Sequence, residues 1–174
     1  MEKHYKSYVI VSSDRAAHGT YKDEAGPAAE KWLKKNGYQN SGVKVIPDDE
    51  ERIRMEVLIT LNETDLLVVS GGTGLGPRDV TPQIVKSIAE YEIPGFGELL
   101  RQESLKYSLN SYLSRCGGYV KNNKLILALP GNPKAVTEQL NILKDLLPNA
   151  LCALRGECKH RNRKVADSRE RKRL

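Results

Sequence analysis

The fold is decided by residues 66–82, which read LLVVSGGTGLGPRDVTP. The run 66–70 is apolar almost throughout and does not alternate, which is typical of a parallel strand buried on both faces. A glycine-rich loop follows, and then a helix start for which we predict Thr81 as the N-cap and Pro82 as the first helical residue. A strand, a loop and a helix in this order predict one unit of an α/β sheet.

The same alternation of strand and helix patterns continues on both sides of this segment. We predict further strands at 8–12, 43–46 and 124–129, and helices at about 25–36, 47–61 and 133–147, the last with Asn132 as its N-cap and Pro133 as its first residue. Together these elements predict an α/β fold of three layers. It consists of a mostly parallel, doubly wound sheet with helices on both faces and a β-hairpin near residues 111–129 that turns at 121–123.

Length and composition limit the class of protein. The chain has 174 residues, of which 39% are hydrophobic and 29% charged, and this predicts one globular domain. Residues 1–6 have no apolar signal core and no stretch approaches the ~18 apolar residues of a membrane span, so we expect neither secretion nor membrane insertion. Three cysteines without a C-x-x-C pair fit a reduced, cytoplasmic setting rather than a disulfide scaffold.

The excess positive charge lies in a short terminal segment. Residues 155–174 hold nine Lys and Arg against three Asp and Glu, whereas residues 1–154 hold 19 of each. We therefore predict a neutral folded body over 1–154 and a basic, flexible tail over 155–174. A charge run of this kind mostly keeps a chain soluble. Binding of nucleic acid or a membrane surface through Arg169, Arg171, Lys172 and Arg173 is the lesser alternative.

Three strand-to-helix loops carry the unusual residues, namely 12–15, 71–81 and 130–133. In a doubly wound sheet such loops converge at the carboxyl ends of the strands, where ligands bind. Glycines let backbone amides approach an anion, and a helix N-terminus adds partial positive charge, so these loops predict a phosphate site. The glycine loop is not a P-loop, because Pro77 and Arg78 stand where Lys and Ser or Thr are required. It is not a dinucleotide fingerprint either, because Pro77 replaces the third glycine.

Arg78 and Asp79 add a guanidinium for phosphate and a carboxylate for Mg²⁺ to this loop. Two simpler interpretations stay open: tight-turn geometry for the glycines and a surface ion pair for Arg78 and Asp79. The three histidines have no metal-ligand spacing, and no nucleophile–histidine arrangement is indicated.

Seven short segments within residues 7–150 include these loops and further motifs. They are SDRA at 13–16 with Gly19, Tyr21 and Asp23, IPDD at 46–49, GGTG at 71–74, RDVTP at 78–82, PGFGE at 94–98 with Arg101, LSR at 113–115, and LPGNP at 129–133. In these segments and their order the chain resembles the molybdopterin adenylyltransferases, the bacterial MogA/MoaB group that also includes the gephyrin G domain. The Tyr21 loop and the PGFGE segment are more similar to MogA than to MoaB. Two departures are the extra corner at Gly76–Pro77 and the absence of a proline from residues 107–110.

The resemblance implies an enzyme of molybdenum cofactor biosynthesis. Its reaction would be the Mg²⁺-dependent adenylylation of molybdopterin by ATP, giving adenylyl-molybdopterin and pyrophosphate. It also implies a homotrimer and a partnership with the molybdenum-inserting enzyme of the same pathway. The alternative is a relative that binds molybdopterin without catalysis, as a carrier or scaffold.

The resemblance also suggests roles for individual residues. Asp48 and Asp79 would hold Mg²⁺, although helix-start stabilisation is an alternative for Asp48. Phosphate groups would be bound by Gly71, Gly72, Thr73, Gly74, Arg78, Gly131 and Asn132. The pterin or its phosphate would be bound by Ser13, Asp14, Arg15, Ser114 and Arg115.

Overall fold

The structure, a computed structural model, describes residues 5–158. Its strands are β1 (Lys6–Ser12), β2 (Gln39–Ile46), β3 (Leu66–Ser70), β4 (Tyr91–Ile93), β5 (Gly117–Lys121) and β6 (Lys124–Leu129). Its helices are α1 (Asp14–Ala17), α2 (Ala25–Lys35), α3 (Glu50–Leu61), α4 (Thr81–Ile88), α5 (Pro94–Ser104), α6 (Pro133–Leu143) and α7 (Leu147–Leu154), with a 3₁₀ helix at Leu109–Leu113.

The strands form one sheet in the order β2-β1-β3-β6-β5-β4. Strands β2, β1, β3 and β6 are parallel, and β5 runs antiparallel to both of its neighbours. The chain goes outward from β1 to β2 and then returns to the other side of β1 to form β3. The topological switch point therefore lies between the carboxyl ends of β1 and β3, where such sheets bind ligands.

Helices cover both faces of the sheet, as the sequence predicts. Alternate strand residues point to opposite faces, so Val9 and Val68 pack under α2, α5, α6 and α7, whereas Ile10 and Leu67 pack under α3 and α4. All four of these strand side chains are fully buried. The predicted three-layer, mostly parallel, doubly wound α/β fold is confirmed.

The hairpin prediction holds for its turn but not for its first arm. Lys121 pairs with Lys124, and the two central residues Asn122 and Asn123 have φ values of +49° and +57°, as a type I′ turn requires. However, the strand begins only at Gly117, because residues 109–113 form the 3₁₀ helix that Ser108 caps through the amide of Asn110.

Thr81 is not an N-cap. It is the first residue of α4, and its buried hydroxyl has no hydrogen-bond partner among the described residues. The hydroxyl packs instead against Gly72, where an added Cβ would lie 2.8 Å from Thr81 Oγ1. Asn132 is the predicted cap of α6, since its side chain accepts from the amides of Lys134 and Ala135.

Two cysteines are paired, contrary to the expectation of wholly reduced thiols. Cys152 and Cys158 form a disulfide between Cα atoms 5.2 Å apart, within the usual range, and Cys116 is free and buried. The pairing is local, with a sequence separation of 6 residues, and it joins α7 to the segment that follows it.

The predicted tail begins with a residue that contacts the body. Arg155 donates through Nε and Nη2 to the carboxylate of Asp65, and its guanidinium lies 4.6 Å from the ring centre of Tyr5. Residues 159–174, with most of the basic side chains of that tail, lie outside the described residues. No helix in the described range is long and apolar enough to span a membrane.

Candidate active site

A polar cleft of about 490 Å³ opens at the switch point of the sheet. The loops that follow β1, β2, β3 and β6 meet there. Its walls are formed by Val11, Ser12, Ser13, Asp14, Arg15, Ala16, Tyr21, Asp23, Asp48, Gly71, Gly72, Asp79, Gly131, Asn132 and Pro133. Four of these residues are aspartates, and Arg15 is the single arginine or lysine among them.

Asp14 and Asp48 hold two of the loops together by reciprocal hydrogen bonds. The backbone amide of Asp14 donates to Asp48 Oδ2 at 3.0 Å, and the amide of Asp48 donates to Asp14 Oδ1 at 3.0 Å. The hydroxyl of Ser12 donates to Asp48 Oδ1 at 2.6 Å. The cap of α3 is Asp49, whose side chain accepts from the amide of Arg52, so Asp48 lies one residue before the capping residue.

Arg78 connects the glycine loop to this pair. Its Nη2 donates to the carboxylate of Asp14 and to the backbone oxygen of Asp48, the latter at 3.3 Å. The guanidinium is two-thirds exposed, at 67% of its side-chain surface, and lies at the edge of the cleft. Arg78 therefore pairs with Asp14 and not with its sequence neighbour Asp79.

Asp79 is held by its own loop. Its Oδ2 accepts from the amide of Gly76 at 2.8 Å, and its amide donates to the oxygen of Gly76 at 3.0 Å. A Cβ added at Gly74 or Gly76 would lie 2.8 Å from Asp79 Oδ2. The two glycines thus leave the space that the carboxylate occupies.

Gly71 and Gly131 allow two loops to pack backbone against backbone. Gly71 has φ +111°, and a Cβ there would lie 2.1 Å from the backbone oxygen of Ser12. A Cβ at Gly131 would lie 3.1 Å from Gly71 Cα. Ser70 extends the junction by donating its hydroxyl to the oxygen of Pro130 at 2.8 Å. Part of the reason for glycine at these positions is therefore loop packing.

Two further cavities lie beyond the glycine loop. One, of about 430 Å³, has a mainly apolar lining and is bordered by Thr73, Gly74, Leu113 and Ser114. The other, of about 480 Å³, contains Arg115 together with Arg101 and Tyr119. Burial, followed by the nearby charge of Glu92, raises the pKa of Tyr119 to about 12, so its phenol stays neutral.

The structure places most of the predicted site residues in the acidic cleft and a second group on the other side of the glycine loop. Ser13, Asp14 and Arg15 share the acidic cleft with Asp48, Asp79, Gly71, Gly72, Gly131 and Asn132. Thr73 and Gly74 turn toward the apolar cavity with Ser114, and Arg115 lies on that side too. The five residues predicted for the pterin are therefore divided between two sides of the glycine loop.

The sequence analysis includes Ser12 in the loop 12–15 and Asp23 in a segment of the resemblance, but it gives neither residue a role of its own. Ser12 ends β1 and bonds Asp48, and its place at a strand end beside the glycine loop was the available signal. Asp23 lines the cleft and accepts from the amides of Ala25 and Gly26 at the start of α2. An aspartate two residues before a helix is a capping signal, which explains its contacts.

The carboxylates suit a magnesium ion shared with phosphate rather than one enclosed by protein. No three His, Cys, Asp or Glu side chains among residues 5–158 are grouped closely enough to hold a metal alone. Mg²⁺ usually keeps several waters and takes one or two carboxylates plus substrate phosphates. Aspartates lining a cleft that also contains backbone glycines fit this donor set.

Fold and site define a doubly wound α/β protein with an acidic ligand cleft at the switch point. Residues 8–149 match the family model described as the probable molybdopterin binding domain. The molybdopterin adenylyltransferase of Escherichia coli is 38% identical over 147 residues, which is 82% of this chain and 75% of that protein. The chain therefore belongs to this molybdopterin-binding family of molybdenum cofactor biosynthesis, as the resemblance indicates.

A larger protein and a solved structure agree with this membership. The molybdenum cofactor biosynthesis bifunctional protein of Synechococcus elongatus is 34% identical over 149 residues, which is 85% of this chain but 47% of that protein. The structure of the molybdopterin biosynthesis enzyme MoaB from Thermus thermophilus has a TM-score of 0.82 at 30% identity, covering 87% of this chain and 97% of that chain. The chain thus spans about half of one relative and nearly all of the other.

Proposed function

We propose that this protein transfers the adenylyl group of ATP to molybdopterin, with Mg²⁺, releasing pyrophosphate. The observation that carries the proposal is the single cleft in which Asp48 and Asp79 lie with Gly71, Gly72 and the capped start of α6. The proposal is supported further by relatives named molybdopterin adenylyltransferase that are 34–38% identical over most of the chain.

The reaction needs positioning more than proton transfer. An oxygen of the terminal phosphate of molybdopterin attacks the α-phosphorus of ATP, and the bond from that phosphorus to the pyrophosphate oxygen breaks. A phosphate monoester has a second pKa of about 6, so the attacking group is already deprotonated at neutral pH. The main obstacle is the repulsion between two polyanions.

The residues of the cleft address this repulsion in two ways. Backbone amides of the Gly71–Gly72 and Gly131–Asn132 loops, with the N-terminus of α6, would donate to phosphate oxygens. Asp48 and Asp79 would hold Mg²⁺, which when bound neutralises phosphate charge at the transferring group. Ser12 and the amide of Asp14 orient the carboxylate of Asp48 for this purpose.

The two sides of the glycine loop would hold different parts of the substrates. The mainly apolar cavity beside Thr73 and Ser114 has room, at about 430 Å³, for one flat ring system. The acidic cleft beside Ser13, Asp14 and Arg15 would hold the phosphates and the ion. Both cavities border the same loop, so phosphates of two ligands would meet across it.

The test is incubation of the protein with molybdopterin and ATP–Mg²⁺, followed by mass spectrometry of the pterin and an assay for pyrophosphate. We expect a nucleotide-linked pterin and one pyrophosphate per product. Saturable binding of molybdopterin with no product would contradict the proposal and favour the scaffold alternative.

Assembly and location complete the proposal. We propose a cytoplasmic homotrimer that passes its product to the molybdenum-inserting enzyme. The outer face of α3 supports self-association, because Met55, Leu58 and Ile59 are exposed there at helical spacing.

A further inference from the structure

The glycine loop has few internal supports for the carboxylate it carries. Between β3 and α4 it runs through an exposed stretch in which Leu75 is 67% exposed. Within the loop, Asp79 exchanges two hydrogen bonds with Gly76. Those two bonds define the turn at residues 76–79, but they do not connect the turn to the rest of the molecule.

Arg78 attaches the loop on one side, to Asp14 and Asp48. On the other side Arg115, which lies outside the loop, makes the attachment. The backbone amide of Arg115 donates to the oxygen of Thr73 at 2.9 Å, and its Nε donates to the oxygen of Gly74 at 2.9 Å. Its Nη2 donates to the backbone oxygen of Asp79, and its Nη1 to Gln83 Oε1 at 2.6 Å. Arg115 therefore joins the beginning of the loop, its end and the first turn of α4.

Arg115 is itself held in place. Arg101, on α5, donates through Nη1 to the backbone oxygens of Ser114 at 3.4 Å and Cys116 at 3.2 Å, on either side of Arg115. The next residues enter β5, of which residues 117–120 are buried. A continuous series of contacts thus leads from α5 and the sheet to the loop that carries Asp79.

We propose that Arg115 is a positioning residue, which fixes the Asp79 loop and does not bind either substrate. Each of the three guanidinium nitrogens donates to an oxygen of the glycine loop or of α4, which uses three of the five N–H groups for holding the loop. A lysine cannot replace it, because a single ammonium does not span acceptors that a planar guanidinium bonds from three nitrogens. This inference revises the pterin-binding role expected from the resemblance, and its kinetic part rests on the proposed function.

The kinetic test compares Arg115→Ala and Arg115→Lys with Arg54→Lys, a control at an exposed position of α3. A displaced carboxylate loses alignment, so kcat should fall about 10- to 100-fold in both Arg115 variants. The Mg²⁺ concentration for half-maximal rate should rise several-fold, and KM for molybdopterin should stay within about twofold of wild type. A rise of about tenfold or more in KM at unchanged kcat would overturn the proposal and make Arg115 a substrate ligand.

Gln83 offers a milder perturbation of the same contact. Gln83→Leu removes the acceptor of Arg115 Nη1 and should lower kcat about 2- to 5-fold, whereas Gln83→Glu keeps an acceptor there and should retain the wild-type rate. If Arg115→Ala does not fold, the two Gln83 variants still test whether Arg115 is a positioning residue. Equal rates in the two Gln83 variants would overturn the proposal.

Hydrogen exchange tests the contact without any reaction. In substrate-free protein, the amides of Gly76 and Asp79 should exchange about tenfold faster in Arg115→Ala than in wild type, and amides of β3 should not change. Unchanged exchange at Gly76 and Asp79 would overturn the proposal. If the wild type made no adenylyl-molybdopterin, the proposed function would fail, but this measurement would still decide the role of Arg115.

Discussion

Asp48 and Asp79 share one cleft but are held by different parts of the chain. The oxygens of Asp48 accept hydrogen bonds from Ser12, the last residue of β1, and from Asp14 in the loop after it, whereas Asp79 is bonded through Oδ2 to its own loop. Sequence spacing alone could not show this, because the two residues belong to different loops. The residue types were predicted, and their partners were not.

Replacing the carboxylate of Asp79 by an amide tests its proposed role. Asp79→Asn keeps the size and an acceptor oxygen but removes the charge that holds Mg²⁺, so kcat should fall by about 10² or more. Asp49→Asn is the matched control, since Asn also caps a helix and Asp49 lies beside Asp48 without reaching the cleft. The measurement is the steady-state rate of each variant at several Mg²⁺ concentrations. A fully active Asp79→Asn variant would contradict the proposal that Asp79 holds Mg²⁺.

At the scale of elements, the strand and helix patterns predicted the layers but not every boundary. The apolar runs at 8–12 and 66–70 match β1 and β3 closely, since buried parallel strands have an unambiguous composition. Helix α5 was not predicted, because its first turn reads PGFG and glycine is a poor helix former. Residues 111–113 were predicted as part of the first hairpin arm, but they belong to the 3₁₀ helix, which local hydrogen bonds such as the Ser108 cap decide.

The close packing where β1 ends and the loops after β3 and β6 meet predicts that a methyl group added at Gly71 destabilises the fold. Gly71→Ala would place a Cβ 2.1 Å from the oxygen of Ser12, at a φ of +111°. We expect the free energy of unfolding to drop by at least about 2 kcal/mol. Urea denaturation measures this value.

The control for that variant lies in α5. At Gly95 an added Cβ meets nothing within 4 Å, so Gly95→Ala should leave stability unchanged or raise it by up to about 1 kcal/mol. If Gly71→Ala proved as stable as Gly95→Ala, the close approach of the loops after β1 and β3 would be wrong.

At the scale of the whole molecule, an ion pair between the buried Asp65 and the partly exposed Arg155 lies at the end of the sheet opposite the cleft. Asp65 precedes β3 and accepts from the backbone amide of Lys6 and from Arg155. Burial by itself would raise the pKa of Asp65, but these hydrogen bonds and the charges of Arg155 and Lys124 outweigh it and lower the pKa below the ordinary 3.8. The ionised form therefore stabilises the fold.

Because the pKa of Asp65 is lowered in the folded state, the free energy of unfolding should depend on pH. A carboxylate with a lowered folded-state pKa contributes fully above its unfolded pKa, and the contribution is lost as the pH falls through the folded value. Asp65→Asn should lower the free energy of unfolding at pH 7 by about 1–3 kcal/mol, and the difference from wild type should shrink below about pH 4. Urea titrations between pH 3 and 7 measure it, with Glu103→Gln, in an exposed pair with Lys106, as the control. A difference that stayed constant with pH would contradict the linkage.

The central claim is that a phosphate of one ligand displaces pyrophosphate from the other within the acidic cleft. The most direct measurement follows two radiolabels, one at the α-phosphate and one at the γ-phosphate of ATP, in a reaction with molybdopterin and Mg²⁺. The account predicts that the α-label appears on the pterin and the γ-label in pyrophosphate, with both transfers slowed by about 10² or more in Asp79→Asn. Transfer of the γ-label to the pterin, or equal α-label transfer by the variant, would contradict it.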